Sequence, residues 1–355
     1  MAIHFHRLTV KDIKHETPDC VSIAFDIPSE LQNEFQFIPG QNVTIKTALD
    51  EIRRSYSICT SPLENELRIA VKKVNNGVFS SFANEKLKKG DVLEVLPPTG
   101  TFYTEIKASN KNEYVFFAAG SGITPVISII KTILNTEVQS NVTLIYGNKN
   151  VSSIIFKEEL EALKDKHLER FRIYHILSRE KTDSVFNYGR IDLDKCHQLS
   201  KLIRLNSVDE FFICGPEQMI FTVKDFLQNS GIDPEKIHFE LFTTPTRQHT
   251  QIYTAVKEEK EEGSKITVKL DGRSIDFMLD YNSNTILDAA LAEGADVPFA
   301  CKGGVCCTCK AKLLEGEVEM ETNYGLEPSE VKAGFILTCQ SHPRSKNVVV
   351  DYDVT

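Results

Sequence analysis

The sequence predicts a multidomain chain: an antiparallel β-barrel or sandwich, then an α/β domain on a parallel sheet, then a small β-rich domain. Three observations predict it. Short strands rich in β-branched residues, several alternating apolar with polar, fill roughly the first hundred of the 355 residues. Apolar runs then alternate with helically spaced segments. Near the end, four cysteines fall in the ten residues "CKGGVCCTCK", 301 to 310.

The first part contains "FHRLTVKDI", "CVSIAFDI", "NVTIKTA", "SYSICT", "LRIAVKKV" and "DVLEVLPP". The turn signals "IPGQ", "NNG" and "KKGD" separate them. Repeated short strands of this kind close into a barrel or stack as a sandwich. From about residue 113 the rhythm changes. "YVFFAAG" is a continuous apolar run, as in a strand covered on both faces. "TPVISIIKTIL", "NVTLIYGN", the helix "IIFKEELEALKDK", "FRIYHILSR", "DEFFICG" and "PEQMIFTVKDFLQNSG" follow as βαβ units. The polar stretch "TTPTRQHTQIYTAVKEEKEEGSK" has no apolar periodicity and reads as a linker, with "KEEKEEG" a solvated charge run. Beyond it, "KITVKLDGRSIDFML" predicts a hairpin turning at Asp271-Gly272. "TILDAALAEG" predicts a short helix stopped by glycine, and "NVVVDYDV" a closing strand.

Composition narrows the function. The net charge of −9 argues against a nucleic-acid binder, which carries a basic patch or stripe. No stretch approaches the roughly 18 apolar residues of a membrane span. The N-terminal "MAIHFHRLTV" lacks the apolar core of a signal peptide, so the expectation is a cytoplasmic protein. Nine cysteines, an odd number and clustered, then point to metal or redox chemistry over disulfides. His4 and His6 read as an ordinary exposed strand face.

Cys301, Cys306 and Cys309 have the C-x4-C-x2-C spacing of a plant-type [2Fe–2S] site, and Cys339 in "ILTCQSHP" is the only later cysteine. Gly303 and Gly304 suit a tight loop whose backbone N–H groups face sulfur. A four-cysteine zinc site reads as paired CxxC knuckles, and only one such pair is present. Taking Cys307 as the second ligand gives C-x5-C-x-C, which does not match, so Cys307 reads as a small side chain packed beside the site. The hairpin–helix–loop order resembles a plant-type ferredoxin domain, which implies a β-grasp fold.

"RRSYSICTSP" carries Arg54-Ser55-Tyr56-Ser57, which resembles the R-x-Y-S signature of the ferredoxin–NADP reductase superfamily. Alternate strand residues share a face. Arg54 can therefore meet the FAD pyrophosphate while Tyr56 stacks on the isoalloxazine. In the family, the serine matching Ser57 lies near flavin N5. "FIPGQNV" resembles the family's PGQ turn, and Gly77 to Ser80 its G-x-x-S element, where a helix N-terminus with Ser80 receives the second phosphate. Gly120, Gly122, Thr124 and Pro125 in "AAGSGITPV" resemble its dinucleotide loop, and Cys214-Gly215-Pro216 its CGP element, with the cysteine beside the nicotinamide. Glu240 and Phe242 in "IHFELFTTP" match an acidic residue and an aromatic that relatives place near the flavin.

The strand ending "IYGNKN" has no carboxylate for the ribose hydroxyls of NADH. Ser178-Arg179 stand where many relatives hold the 2′-phosphate of NADPH, although an arginine on a bare surface is the plain alternative. The resemblance therefore implies NADPH in preference to NADH.

The resemblance covers essentially the whole chain. It implies an FAD-binding β-barrel over 1–106, a parallel-sheet NAD(P) domain over 107–242, a linker over 243–263 and a β-grasp 2Fe-2S ferredoxin domain over 264–355. Catalytic roles fall to Cys214, Ser57 and Glu240. The order resembles the reductases of multicomponent oxygenases. "IYGNKNVSSIIFKEEL", "YHILSRE" and "CKGGVCCTCKAKLLEGEVEM" are most similar to the reductase subunits of ring-1,2-phenylacetyl-CoA epoxidases. That implies electrons passing from NADPH through FAD and the cluster to a separate di-iron oxygenase. Reductases of aromatic-ring, steroid or alkane hydroxylases use the same modules. A redox sensor is the reading from another class, and intact Cys214, Tyr56 and Ser57 argue against it. From Ser264 to Thr355 there are 14 acidic and 9 basic residues, a net −5 that suits docking to a positively charged partner or simply solubility.

Overall fold

A computed structural model describes residues 3–46, 53–182, 184–242, 263–281 and 283–354. Two compact units result: His6–Pro98 with Phe102–Leu241, and Met1–Phe5 with Thr99–Thr101 and Phe242–Thr355. The expected linker lies outside the described residues up to its last position, Gly263.

The larger unit opens with six antiparallel strands: β1 (His6–Thr17), β2 (Cys20–Asp26), β3 (Asn42–Lys46), β4 (Arg53–Ser57), β5 (Leu67–Lys72) and β6 (Val92–Val95), with helix α1 (Val78–Glu85) before the last. Their order is β4-β3-β6-β1-β2-β5, and an antiparallel bridge from Ile58 to Ile69 joins the two ends into a barrel. Leu8, Val10, Ile23, Val43, Ile45 and Ile69 fill its core.

The same unit continues as a parallel sheet. Its strands are β7 (Glu113–Ala119), β8 (Asn141–Asn148), β9 (Phe171–Leu177), β10 (Glu210–Cys214) and β11 (Ile237–Glu240), in the order β11-β10-β7-β8-β9. Helices α2 (Ile123–Thr136), α3 (Lys157–Lys166), α4 (Leu193–Leu199) and α5 (Glu217–Asn229) make the crossovers. The helix expected over "IIFKEELEALKDK" starts only at Lys157. Phe156 before it takes φ +60°, and Ile154 to Phe156 are buried as loop.

Helix α2 is apolar almost all round because it has cover on both sides. Ile123, Val126, Ile127 and Ile130 share one core with Phe116 and Tyr146 of the sheet and with Cys20, Cys59 and Ala70 of the barrel. Its one buried cation, Lys131, ion-pairs with Glu159 of α3 and with Glu64 of the barrel at 3.2 Å. Ser128 donates to the Thr60 carbonyl at 2.6 Å, and the Ser61 and Thr132 hydroxyls meet at 2.8 Å. The helix that carries the glycine loop is thereby fastened to the barrel.

The smaller unit holds the hairpin β12 (Gly263–Leu270) and β13 (Arg273–Asp280), helix α6 (Ile286–Ala292), β14 (Lys310–Glu315), β15 (Val318–Met320), helix α7 (Pro328–Lys332), β16 (Phe335–Leu337), β17 (Ser341–Pro343) and β18 (Asn347–Asp351). The hairpin turns at Asp271 (φ +53°) and Gly272 (φ +68°), the doubly left-handed pair that the Asp-Gly signal predicts. The mixed sheet runs β13-β12-β18-β14-β16, with β15 paired to β17. Helix α6 packs Ile286, Leu287 and Ala290 onto Ile266, Val268 and Val348. This is the grasp arrangement expected for the last domain. Among the described residues, no helix is long and apolar enough to cross a membrane.

Candidate functional site

In the barrel, β4 presents its signature residues in alternation. Ser57 is buried, Tyr56 half-buried and Arg54 exposed. Arg54 and Tyr56 lie two positions apart on β4, which puts them on one face, and the Arg54 charge lowers the Tyr56 phenol's pKa against a larger rise from burial. Ser55 faces Thr44 of β3, hydroxyl to hydroxyl, at 3.1 Å. The Tyr56 ring sits 5.3 Å from that of Phe79, which holds α1 beside β4.

Gly77 caps α1. The Ser80 hydroxyl accepts from the Val74 N–H at 3.2 Å and donates back to the Gly77 carbonyl at 3.4 Å. The first backbone N–H groups of α1 beside it have no acceptor within the helix. At the other end of the signature, Ser57 pairs in register with Asn42, whose buried Oδ1 has no hydrogen-bond partner. A cationic strand face, a flanking aromatic, a helix N-terminus and an orphaned acceptor suit FAD.

The parallel sheet brings the next group together. Cys214 ends β10 in register with Ala118 of β7 and Glu240 of β11. Gly122 lies against it. A Cβ on Gly122 would stand 2.1 Å from the Cys214 carbonyl oxygen and 2.7 Å from the Gly215 nitrogen, so only glycine fits. Gly120 takes φ +55°, and Thr124 donates to the Ser121 carbonyl at 3.0 Å, with Pro125 in the first turn of α2. Pro216 precedes α5 as its N-cap. Cys214 is fully buried, and burial first, then the Glu240 charge, push its thiol well above the ordinary range. Glu240 in turn accepts a hydrogen bond from the Ser57 hydroxyl at 3.3 Å. Cys214, Glu240, Ser57 and Gly122 thus converge from β10, β11, β4 and the glycine loop. Phe242 groups with the smaller unit and is exposed.

Ser178 and Arg179 extend the pairing of β9 with β8. Their N–H groups donate to the Asn148 and Lys149 carbonyls at 2.9 and 2.8 Å, which leaves the Arg179 side chain exposed at the sheet's carboxyl edge. Two further residues lie here that sequence reading passed over. The Asn148 amide is buried with neither atom hydrogen-bonded in good geometry, although the Tyr146 hydroxyl lies nearby. That hydroxyl donates to the Gly120 carbonyl at 2.9 Å. Lys72 of β5 holds its Nζ 3.9 Å from where a Gly120 Cβ would stand. Both look ordinary in their strands, and only the fold brings them to the glycine loop. An orphaned amide, a cation and a side-chain-free loop suit a dinucleotide.

In the smaller unit, the loop between α6 and β14 folds its N–H groups onto sulfur. Cys301 N–H donates to Cys306 Sγ at 3.4 Å, and Gly303 N–H to Cys301 Sγ at 3.3 Å. The thiols neighbour one another in series: Cys306 with Cys301, Cys301 with Cys339, Cys339 with Cys309. Among the described residues, no three Cys, His or carboxylate side chains are arranged to hold a single metal ion. Four thiols in series fit a two-iron core, which needs a pair of sulfurs at each iron. Cys307 turns away. Its backbone takes φ +55°, and its thiol donates to the Gly325 carbonyl at 2.6 Å.

The sequence matches three family models: an oxidoreductase FAD-binding domain over residues 7–103, an oxidoreductase NAD-binding domain over 116–225 and a 2Fe-2S iron-sulfur cluster binding domain over 268–344. It is 46% identical over 352 residues to one of the subunits of 1,2-phenylacetyl-CoA epoxidase from Escherichia coli (strain K12), covering 98% of each chain. It is 34% identical over 352 residues to the ferredoxin reductase component of 3-ketosteroid-9-alpha-monooxygenase from Rhodococcus rhodochrous, covering 97% of this chain and 96% of the relative. Among solved structures, phthalate dioxygenase reductase superposes with a TM-score of 0.58 at 23% identity over 98% of both chains, a likeness of fold. The chain belongs to the family of oxygenase reductase components that join an FAD-binding, an NAD-binding and a 2Fe-2S domain in one polypeptide.

Proposed function

We propose that this reductase takes electrons from NADPH and delivers them, through FAD and the [2Fe–2S] centre, to a separate di-iron oxygenase that epoxidises the ring of phenylacetyl-CoA. The observation that carries the electron-transfer reading is the meeting of Ser57, Glu240, Cys214 and Gly122 where the barrel and the parallel sheet share one unit. The 46% identity to a phenylacetyl-CoA epoxidase component over nearly the full length supports the choice of oxygenase.

Bound FAD accepts two electrons at once and releases them singly, which joins a two-electron donor to a one-electron centre. The protein's own part is binding and positioning. Arg54 and the N-terminus of α1 hold phosphate, and Tyr56 covers the ring system. Gly122 keeps the glycine loop against Cys214, so a nicotinamide approaches without a side chain between. Cys214 stays a neutral thiol. Ser57 keeps its proton on Oγ, directed at the Glu240 carboxylate. Arg179 and Ser178 supply charge-assisted and neutral donors for a 2′-phosphate. Cys301, Cys306, Cys309 and Cys339 hold the iron.

The test is a steady-state assay of dye or cytochrome c reduction with each nucleotide, followed by reconstitution. NADPH at least about tenfold better than NADH in kcat/KM is expected, since one charge-assisted contact contributes about 1.5–3 kcal/mol. With the phenylacetyl-CoA oxygenase components added, NADPH oxidation should couple to epoxide formation. No dye reduction by the FAD-loaded protein sinks the reductase reading. Coupling only to a steroid or alkane hydroxylase overturns the choice of partner.

A further inference from the structure

Gln340 follows Cys339 directly and is buried, 7% exposed. A glutamine amide buried there must find partners. Its Nε2 donates to the Cys339 carbonyl at 2.7 Å and to the Lys302 carbonyl at 3.1 Å, and the same nitrogen stands 3.7 Å from Cys339 Sγ. The two carbonyls accept only, so the nitrogen rather than the oxygen must face them. Two N–H groups therefore serve three acceptors, one of them a candidate ligand sulfur. Lys302 lies between Cys301 and Gly303, so the amide also joins the 3-10 turn Thr338–Gln340 that carries Cys339 to the loop that carries the other three cysteines. The Cβ of a residue at Gly304 would stand 3.2 Å from the Gln340 Cγ, so the side chain is packed against that loop rather than laid over it.

We propose that Gln340 is a positioning residue of the [2Fe–2S] centre: its amide ties the short turn that carries Cys339 to the 301–306 loop and donates to the Cys339 sulfur, which raises the centre's reduction potential. The physical reason is charge. A thiolate bound to iron is a stronger acceptor than a thiol, so the shared N–H shifts toward it. One-electron reduction adds negative charge to the centre, and a donor aimed at a ligand sulfur stabilises the reduced form more than the oxidised one. In the reductase, the donor biases the centre toward receiving an electron. Without it, the same protein donates more readily but fills less readily.

The inference rests on Cys339 being a ligand, and a control separates the two ideas. The full-length protein, loaded with FAD and iron, is prepared as Gln340→Met, Gln340→Glu and Cys339→Ala. Met matches glutamine in length and has no donor. Glu matches its shape and cannot donate once its carboxyl is ionised. Iron per FAD, visible absorption, the paramagnetic resonance of the reduced protein and the midpoint potential in a dye-coupled titration are measured. Gln340→Met should keep the centre, change its resonance and move the potential negative, up to about tenfold in the one-electron equilibrium, or about 59 mV. Gln340→Glu should make the potential depend on pH, moving it further negative where the carboxyl is ionised, because the ionised form adds a negative charge. Potentials and spectra identical to the parent with iron intact overturn the proposal. So does loss of iron from both Gln340 variants with FAD retained, which makes the bridge structural alone. Iron retained in Cys339→Ala overturns the ligand assignment instead.

Discussion

Ser57 and Glu240 stand 183 positions apart, and the fold closes that gap to a hydrogen bond of 3.3 Å. One lies on a strand of the barrel and the other at the end of the sheet's edge strand. In register beside Glu240 lies Cys214. A barrel residue thus touches the sheet beside the residues proposed to face the nicotinamide. Ser57→Ala should leave FAD bound and slow its reduction by NADPH by about 10- to 100-fold, the equivalent of one hydrogen bond to a charged group at about 1.5–3 kcal/mol. Glu240→Gln keeps an acceptor for the Ser57 hydroxyl and should lose less. Stopped-flow flavin absorbance measures both, and equal losses in the two variants would remove the pairwise explanation.

Gly122 offers a steric test of the same place. A methyl there meets the Cys214 carbonyl oxygen at 2.1 Å, and the atoms it meets are backbone, which cannot rotate away. Gly122→Ala must move the glycine loop or the end of β10, at a cost of about 1–3 kcal/mol of packing strain. Nucleotide affinity and flavin reduction should both fall about tenfold or more, with FAD and iron content unchanged. Gly90→Ala is the control: its φ is also positive, at +92°, but nothing lies near its Cβ position. Flavin reduction as fast in Gly122→Ala as in Gly90→Ala would show that the loop tolerates the methyl.

The legible part of this protein was whatever is local in sequence. The ligand spacing of Cys301, Cys306 and Cys309 sits in one loop, and the Asp271-Gly272 turn is two residues long. Alternation along β4 is likewise local, and it places Arg54 and Tyr56 on one face of the strand. The illegible part was whatever the fold brings from afar. Nothing local says that Ser57 meets Glu240, that Gly122 abuts Cys214, or that Lys72 reaches Gly120. Ser80 is a local residue whose surroundings are not legible from spacing: the fold turns its hydroxyl toward Val74 and Gly77. Gln340 reads as any polar residue until its partners are known.

Arg179 is the residue that tests the proposed choice of NADPH over NADH. Its backbone is fixed by the Lys149 carbonyl at 2.8 Å and its side chain is exposed, so it can be replaced without disturbing the core. Arg179→Gln should reduce kcat/KM for NADPH by about 10- to 100-fold, from one lost charge-assisted contact. NADH, which has no 2′-phosphate, should change less than about twofold on the same reasoning. Equal losses with both nucleotides would leave Arg179 a general binding residue, and no loss would leave it a surface arginine.

Cys306 and Cys307 are neighbours with opposite orientations. Cys306 accepts the Cys301 N–H at sulfur, while Cys307 donates its thiol to the Gly325 carbonyl. Cys306→Ala should lose the iron, seen in visible absorption and metal content, and keep FAD reduction by NADPH. Cys307→Ala should keep both centres. Its cost is small because the Gly325 carbonyl also accepts from the Thr101 hydroxyl at 3.0 Å and is not orphaned. About 1 kcal/mol of lost burial and bonding is expected. Iron lost from Cys307→Ala would reverse the assignment within the pair.

The buried thiols outside the iron site make a prediction about alkaline pH. Burial, followed by the charge of Glu16, pushes the Cys20 thiol from its ordinary 9.0 up to about 12. Burial, followed by Asp192, does the same for Cys196, to about 12. Cys59 and Cys214 move in the same direction, again chiefly through burial. The folded state therefore keeps protons that the unfolded state gives up above pH 9. Stability from these groups is complete below pH 9 and falls as the pH rises from 9 toward 12, because the unfolded chain binds fewer protons there. The slope is at most about 1.4 kcal/mol per pH unit for each thiol. Urea unfolding of the full chain, followed by release of FAD fluorescence at pH 8, 9, 10 and 11, measures it. Cys196 lies on α4 and is not among the residues proposed to bind either nucleotide, and Cys196→Ala should unfold with a shallower pH slope above 9 than the parent. An unchanged slope would mean that the Cys196 thiol ionises in the folded protein as easily as in the unfolded chain.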